Sequence, residues 1–431
     1  MEKIVYEQLQ EQLYYEKMPN SLDVYILPKK AFNKTYATFT TKYGSVDNQF
    51  VPRGKTEMKR VPDGIAHFLE HKLFEKEDGD VFQQFSKQGA SANAFTSFTR
   101  TAYLFSSTAN VEKNLETLID FVQTPYFSDQ TVEKEKGIIG QEIRMYDDNP
   151  DWRLYFGLIE SMYHNHPVKI DIAGTVESIA DITKELLYEC YETFYHPSNM
   201  LLFIVGPVDE RAIMEQIRNN QIKKTFPEAS AIQRFVYNEP EEVAKKKHII
   251  PMHVQTSKCL IGVKAQNVRQ KGKEKLKHEL VMNVLLDYLF GKSSPHYERL
   301  YQLGLIDETF AYDYTEEEQF GFALVGGDTS DPERLAEEMK QIILSFDDSV
   351  LTNEDLERVK KKKIGAFLRS LNSPEYIANQ FTRYAFHEMS LFDVVPMLES
   401  ITADDIAEVA NECFNERQLA VCQVVPKEER K

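Results

Sequence analysis

The chain has few cysteines, a single tryptophan and no long apolar run. Its four cysteines are scattered over 431 residues and form no Cys-x-x-Cys pair, which speaks against a thiolate metal site and a disulfide framework. The longest apolar stretch, Met200–Val205, is strand-sized and far below the roughly 20 residues that cross a bilayer. No basic segment followed by an apolar one opens the chain, so a cytoplasmic protein is expected.

Positive charge is also scarce. Lysine and arginine number 51 against 68 aspartates and glutamates, for a net charge of −17. Because nucleic-acid phosphates would be repelled, a nucleic-acid partner is not expected. The same charge suits basic or neutral peptide substrates, and it equally suits solubility alone.

The length of 431 residues exceeds what one hydrophobic core usually organises, so two or three domains are expected. Apolar alternation predicts strands, and an apolar period of 3.6 residues predicts helices. In the first half we predict strands at 22–28, 36–44, 93–107 and 200–205 and helices beginning near 64 and at 111–124, 129–147, 152–164 and 183–194. In the second half we predict strands around 248–265, 308–326 and 419–425 and helices at 273–290, 332–346, 352–371, 373–389 and 402–413.

This repeated order indicates an internal duplication. The segment ending at Gly140 resembles the one ending at Gly365, and the segment from Ile182 resembles the one from Ile401, at offsets of 225 and 219 residues. Two related halves are therefore expected. A polar stretch with two prolines separates them, which predicts an N-terminal domain, a linker and a C-terminal domain at 1–220, 221–247 and 248–431.

One short motif carries the chemistry, His67-Phe68-Leu69-Glu70-His71. Residues three and four apart share a helix face, so both imidazoles can reach one ion with Glu70 beside them. Zinc accepts histidine nitrogen and carboxylate oxygen and leaves a fourth position to water, which an unligated carboxylate can deprotonate. The spacing is the inverted form of the zinc-peptidase motif. It predicts a zinc site with Glu70 as the general base.

A third ligand must come from another segment. Glu135 and Glu142 are seven residues apart on the predicted helix at 129–147, and two turns of helix place them on one face. One of them could bind the ion while the other orients a ligand histidine. The alternative is that the motif arose by chance and that all these side chains are ordinary helix residues.

The motif has a wider context. The segment 64–74 resembles the signature of the pitrilysin/insulinase superfamily of zinc peptidases, and most closely the branch of mitochondrial processing peptidase and its bacterial relatives. Further matches lie in the family's order at 42–47, 89–96, 166–167, 174–175 and 195–200. The resemblance implies an α+β fold of two related halves, each an antiparallel sheet covered by helices, as in one half of the processing-peptidase clam.

The resemblance also implies roles for individual residues. It makes one Zn²⁺ per chain the cofactor, with His67, His71 and Glu142 as ligands, Glu70 as general base and Glu135 as the residue that orients a ligand histidine. It makes Asn93, Ala94 and Phe95 the strand edge to which an extended peptide is added by main-chain hydrogen bonds. Without the resemblance, Asn93 would be interpreted as a turn residue at the start of a strand.

The second half departs from the family pattern. Active members carry an arginine and, seven residues later, a tyrosine that stabilise the oxyanion. The matching positions here are Glu298 and Leu305, while Arg299 and Tyr301 stand nearby at the wrong spacing. This half also lacks a copy of the histidine motif, and the repeat position of Glu142 is Phe367.

The function expected from these observations is that of a zinc metalloendopeptidase that hydrolyses short or unfolded peptides in an enclosed chamber, as the metal-bearing subunit of a heterodimer. A paralogous subunit would supply the Arg/Tyr pair, or a second copy of the chain would complete a homodimer. No nucleic acid and no membrane is expected as a partner. The alternative is a non-catalytic core, structural or peptide-binding subunit of the same fold, and the intact motif favours the enzyme.

Overall fold

The computed structural model of the chain describes residues 1–77, 79–266, 268 and 271–427. Its strands, in chain order, are β1 (Glu2–Tyr6), β2 (Glu11–Lys17), β3 (Asp23–Pro28), β4 (Thr35–Thr41), β5 (Gln49–Phe50), β6 (Lys59–Arg60), β7 (Glu75–Lys76), β8 (Gly79–Asp80), β9 (Ala90–Thr96), β10 (Thr101–Ser107), β11 (Met200–Gly206), β12 (Lys247–Met252), β13 (Ser257–Lys264), β14 (Ala311–Glu316), β15 (Gly321–Thr329) and β16 (Leu419–Pro426).

The helices lie between these strands and cover them. They are α1 (Ile65–Leu73), α2 (Val81–Lys87), α3 (Val111–Gln123), α4 (Asp129–Asp147), α5 (Pro150–Met162), α6 (Val176–Ala180), α7 (Lys184–Phe194), α8 (Glu210–Gln221), α9 (Gly272–Phe290), α10 (Pro295–Gln302), α11 (Pro332–Leu344), α12 (Asn353–Ser370), α13 (Pro374–Ala385), α14 (Val394–Ser400) and α15 (Ala403–Cys413). No helix in the described part of the chain combines the length and apolarity that crossing a membrane requires.

The chain forms two compact units, each built on one main sheet. Unit 1 comprises 1–143, 171–235 and 370–386, and unit 2 comprises 144–170, 236–369 and 387–431. The predicted α+β class with two sheet-containing halves is confirmed. The predicted division into 1–220, 221–247 and 248–431 follows the order of the residues along the chain and stays a prediction.

The two sheets share one topology over five strands. Unit 1 has the order β1-β2-β3-β11-β4-β10-β9, and unit 2 has the order β12-β16-β13-β15-β14. In each sheet the first and last strands of the repeat are parallel, β3 with β11 and β12 with β16, and the remaining neighbours are antiparallel. The shared order supports the duplication that the sequence predicts.

Each unit is completed by a helix from the other half of the chain. Helix α5 packs on β12, β13 and β16 in unit 2, whereas α13 packs on β4 and β11 in unit 1. In unit 1, Phe381 of α13 stacks on Phe203 and meets the edge of Tyr25. All seven residues of β4 are buried, because α3 contacts this strand as well. A linear sequence pattern does not reveal such an exchange, since each helix lies in the chain among the elements of one half and packs on the sheet of the other.

The sequence predicted the position of the glutamate-bearing helix and of the neighbouring strands. The helix predicted at 129–147 has those bounds in α4. The range 93–107 predicted as strand contains β10 and the last four residues of β9, which begins at Ala90. No element was predicted at β1, β2, α2, α6, α8, α10 or α14. Most of these elements have no more than eight residues, whereas α8 buries Ile213, Met214 and Ile217 on one face, so its periodic pattern was present in the sequence and was missed.

Two close backbone contacts set the start of α1. Gly64 precedes the helix with a φ of 89°, and a Cβ there would lie 2.3 Å from the carbonyl oxygen of Ala173. Gly174 makes the reciprocal approach, since its Cβ would lie 2.4 Å from the carbonyl oxygen of Asp63. Only glycine tolerates both the left-handed φ and the contact. The segment before α6 thereby holds the N-terminus of the histidine-bearing helix.

Candidate metal centre

Helix α1 brings the histidine motif into the interior of unit 1. Eight of its nine residues are buried, and His71 is the more exposed member. Apolar Phe68 and Leu69 are fully buried, and α1 packs against β9, β10 and α7. Burial of the intervening apolar residues therefore fixes the rotation of the helix, which turns His67, Glu70 and His71 together toward one site.

Helix α4 supplies the glutamates. Val132, Ile139 and Ile143 are buried and form the packed stripe of this helix. Glu135 and Glu142 lie at the edge of that stripe, and Glu135 is itself buried. Their seven-residue spacing places both carboxylates on the side that faces α1, as the sequence analysis expected.

The ligand atoms of three residues converge. Nε2 of His67 lies 3.8 Å from Oε1 of Glu142, and Nε2 of His71 lies 3.6 Å from Oε2 of Glu142. One ligand atom from each residue lies within 4.8 Å of the others, and this is the one such group of three or more among the described residues. Atoms about 2.1 Å from a shared zinc ion would be separated by roughly 3.4 Å at the tetrahedral angle and at most about 4.2 Å. The donor set and its spacing therefore fit zinc after a small contraction.

A second contact orients one of the imidazoles. Nδ1 of His71 lies 3.0 Å from Oε1 of Glu135, so its N–H can donate to that carboxylate and leave Nε2 as the unprotonated ligand atom. Residue spacing alone did not decide which of the two glutamates binds the ion. In the structure the two glutamates contact different nitrogen atoms. Glu142 faces both Nε2 atoms, and Glu135 faces the far nitrogen of His71.

Burial and charge shape the protonation of this cluster. Burial and the charge of His71 lower the pKa of His67 to about 4, so this imidazole is neutral and available as a ligand at neutral pH. Burial alone would lower the pKa of His71. The hydrogen bond to Glu135 and the charges of the nearby carboxylates outweigh burial, so the net pKa of His71 lies above its ordinary value. Burial raises the pKa of Glu70 to about 6 against the opposing hydrogen bond from Thr96, which suits a base that works near neutrality.

Thr96 is a contact that sequence reasoning missed. Its Oγ1 donates to Oε2 of Glu70 at 2.6 Å. The two residues are 26 positions apart, and only the pairing of β9 with β10 and the packing of α1 on β9 bring them together. The available signal was the resemblance of 89–96 to a family landmark, which ends at this threonine.

The predicted peptide edge lies on an outer strand. Strand β9 pairs with β10 on one side and is the last strand of the sheet in the described part of unit 1. Asn93, Ala94 and Phe95 are the fourth to sixth of its seven residues. The backbone N–H of Ala94 donates to the side-chain oxygen of Asn93 at 2.9 Å. The side chain of Asn93 therefore occupies a backbone donor of the strand. The turn interpretation of Asn93 does not apply, because Asn93 is paired with Leu104 within the sheet.

The second unit holds the residues that occupy the expected Arg/Tyr positions. Leu305 is buried, and Glu298 accepts a hydrogen bond from Gln302. The two nearby candidates lie on α10, where Arg299 pairs with Glu338 and Tyr301 is 60% exposed. These contacts are those of a helix surface, in line with the departure seen in the sequence.

Comparison with known proteins places the chain in a family. Residues 51–176 match the family described as insulinase (peptidase family M16), and residues 181–363 match the family described as peptidase M16 inactive domain. A Bacillus subtilis protein named uncharacterized zinc protease YmfH is 68% identical over 424 residues, which are 98% of this chain and 99% of the relative.

Solved structures agree with these matches. An M16-like peptidase from Alicyclobacillus acidocaldarius is 41% identical and has a TM-score of 0.93, with 97% of this chain and 99% of that chain covered. A protease from Helicobacter pylori has a TM-score of 0.81 at 20% identity, with 96% and 100% covered, which supports the fold alone. The near-complete coverage at high identity, together with the inverted histidine motif, shows that the chain belongs to the M16 (pitrilysin/insulinase) family of peptidases.

Proposed function

We propose that this chain is a zinc-dependent endopeptidase whose one Zn²⁺ is held by His67, His71 and Glu142. The observation that carries the proposal is the convergence of two imidazole nitrogens and a carboxylate oxygen from separate helices, with Glu70 on the same helix as both histidines. Three protein ligands leave a fourth position for water, which is the pattern of catalytic rather than structural zinc.

When bound, zinc would lower the pKa of a water molecule to about 7 and polarise the scissile carbonyl. Glu70 would accept the proton of that water and later deliver it to the leaving amine nitrogen. Glu135 would hold His71 in the tautomer whose Nε2 carries no proton, through the 3.0 Å contact at Nδ1. His67 would act as the second neutral imidazole ligand.

The proposed substrate is an extended peptide that adds as a further strand to β9. An outer strand offers unpaired backbone groups to such a peptide, and Asn93, Ala94 and Phe95 lie in the C-terminal half of this one. An incoming peptide carbonyl would compete with the side chain of Asn93 for the N–H of Ala94. Because strand addition requires an extended backbone, short or unfolded peptides in an enclosed chamber are the proposed substrates.

The proposed assembly is a heterodimer in which this chain bears the metal. Glu298 and Leu305 stand at the positions where an arginine and a tyrosine are expected to stabilise the oxyanion. Loss of one oxyanion donor costs a factor of about 100–1,000 in rate. A paralogous subunit with the Arg/Tyr pair would supply it, and a homodimer is the alternative. The proposal includes a cytoplasmic location, which four unbridged, buried cysteines support.

The competing function is that of a non-catalytic structural or peptide-binding subunit. The match to an inactive M16 domain favours it for part of the chain, but that match covers residues 181–363 and does not include the histidine motif. The candidate metal residues His67, His71 and Glu142 all lie within the match to the insulinase description at 51–176.

Metal analysis combined with peptide hydrolysis tests the proposal. The purified chain should contain about one zinc per molecule, and Glu70→Gln should retain the metal while losing hydrolysis of a quenched-fluorescence peptide library.

Assays of the chain alone and with a paralogous subunit test the assembly, because full activity of the isolated chain would contradict the need for a partner. A wild-type chain without metal would support the structural subunit, and a zinc-loaded complex that binds peptides without cleaving them would support the peptide-binding subunit.

A further inference from the structure

Thr96 ends the strand that carries the proposed peptide edge and contacts the proposed base. It is the last residue of β9 and is half-buried. Its Oγ1 lies 2.6 Å from Oε2 of Glu70, which is within the range of a short, charge-assisted hydrogen bond. Glu70 is itself only 7% exposed, so solvent contributes little to the orientation of its carboxylate.

The direction of this hydrogen bond follows from the neighbouring hydroxyl. Thr101 Oγ1 lies 3.3 Å from Thr96 Oγ1 and donates its proton to the carbonyl oxygen of Tyr43 at 2.9 Å. Each hydroxyl has a single proton, so Thr101 can only accept from Thr96. The proton of Thr96 therefore has two acceptors within reach, and the nearer, charged oxygen of Glu70 is the stronger one.

Such a bond would distinguish the two oxygens of the base. The last torsion of a glutamate side chain is broad and roughly two-fold, so a carboxylate without a partner samples many orientations. The Thr96 hydroxyl engages Oε2 and leaves Oε1 to meet the attacking water. Because Thr96 and the peptide edge belong to one strand, the same rigid element would align the bound peptide and the base.

We propose that Thr96 is a positioning residue that orients the Glu70 carboxylate toward the water, through its hydroxyl. This inference rests on the proposed peptidase function. It requires the hydroxyl group and not the size of the side chain, so Thr96→Val, which is nearly isosteric, and Thr96→Ser, which keeps the hydroxyl, form a discriminating pair.

The test compares these variants in the zinc-loaded complex. We expect Thr96→Val to lower kcat about 10–100-fold, because displacement of a catalytic group by about 1 Å can cost roughly 100-fold, with KM and zinc content unchanged. Thr96→Ser should restore kcat to within a few-fold of the wild type. Thr38→Val is the matched control, since Thr38 is a buried residue of β4 whose hydroxyl finds no hydrogen-bond partner among the described residues, and it should leave kcat unchanged.

The outcomes separate this inference from the function on which it rests. If Thr96→Val keeps the wild-type kcat while Glu70→Gln is inactive, the positioning role is wrong and the peptidase function stands. If the wild-type complex cleaves no peptide, the proposed function fails. A crystal structure of Thr96→Val gives a readout independent of activity, because a Glu70 carboxylate that keeps its orientation would overturn the positioning role in either case.

Discussion

Glu135 lies 3.0 Å from Nδ1 of His71, although the two residues belong to different helices and are 64 positions apart. The contact engages the nitrogen that points away from Glu142, so Glu135 and Glu142 face different nitrogens of one imidazole. A hydrogen bond at the far nitrogen fixes the tautomer and the ring orientation of a metal-binding histidine. This relationship makes the two glutamates experimentally separable.

Substitution of Glu135 should weaken the metal without removing its ligands. We expect Glu135→Gln to lower zinc affinity about 10–100-fold, because the neutral amide holds the His71 tautomer less strongly than a carboxylate does. Competition with a chromophoric chelator measures the change. Glu133→Gln is the matched control, since Glu133 is an exposed residue of the same helix that pairs with Lys136, and an equal loss in both variants would contradict the assigned role.

Loss of Glu142 should abolish stabilisation by zinc. Metal that binds only the folded state stabilises it by about 2.7 kcal/mol at a hundred times Kd, which corresponds to a rise in Tm of roughly 5–10 °C for a unit of this size. Chelator-treated wild type should show this rise on addition of zinc in differential scanning calorimetry, and Glu142→Ala should not. Gln141→Ala, which alters the exposed neighbour, should respond like the wild type, and a full response of Glu142→Ala would refute the ligand assignment.

Gly64 should be intolerant of any side chain. Gly64→Ala places a Cβ 2.3 Å from the carbonyl oxygen of Ala173 at a φ of 89°. Gly54→Ala separates the two effects, because Gly54 has a φ of 72° but no described atom within 4 Å of its Cβ position. We expect a cost of about 1–2 kcal/mol for Gly54→Ala from the left-handed backbone and about 1–3 kcal/mol more for Gly64→Ala from the contact. Urea unfolding measures both, and equal costs would show that the contact relaxes freely.

His166 should make unit 2 sensitive to mild acid. Burial lowers its pKa to about 4, and its Nδ1 accepts the N–H of Val168 at 3.1 Å, which protonation would prevent. The unfolded chain binds a proton near pH 6.5 and the folded chain does so only near pH 4, so stability is full above about 6.5 and falls as the pH drops toward 4, by at most about 3 kcal/mol.

The comparison variant for this effect is His166→Asn, which keeps a side-chain acceptor but does not titrate in this range. The difference in unfolding free energy between the wild type and this variant should change between pH 7 and pH 4.5, with the wild type losing more. A difference that stays constant over this interval would show that His166 is not the group responsible.

Local patterns predicted much of the site. His67, Glu70 and His71 lie within five residues, and Glu135 and Glu142 lie on one helix, so helical geometry alone places each set on one face. The predicted bounds of α4 match the structure, and the apolar stripe of this helix runs from Val132 to Ile143. Strands β1 and β2 escaped prediction, because a polar edge hairpin carries little periodic signal.

Contacts between residues distant in the chain could not be predicted from local sequence patterns. The hydrogen bond from Thr96 to Glu70, the approach of Gly64 to Ala173 and the packing of α13 on the sheet of unit 1 each join segments that are distant in the chain. None of them leaves a periodic trace, since each depends on how whole elements are stacked. The family resemblance distinguished the roles of Glu142 and Glu135, and the structure adds which imidazole nitrogen each of them faces.

The sequence by itself determined the residue types for the metal chemistry, their grouping on two helices and the duplicated order of elements, because helix and strand periods are local properties of the backbone. The tertiary structure alone decided that the two helices meet, that β9 is an outer strand and that Thr96 reaches the base. These outcomes depend on burial of apolar faces between elements, and the free energy of that burial is a property of the packed unit rather than of any one segment.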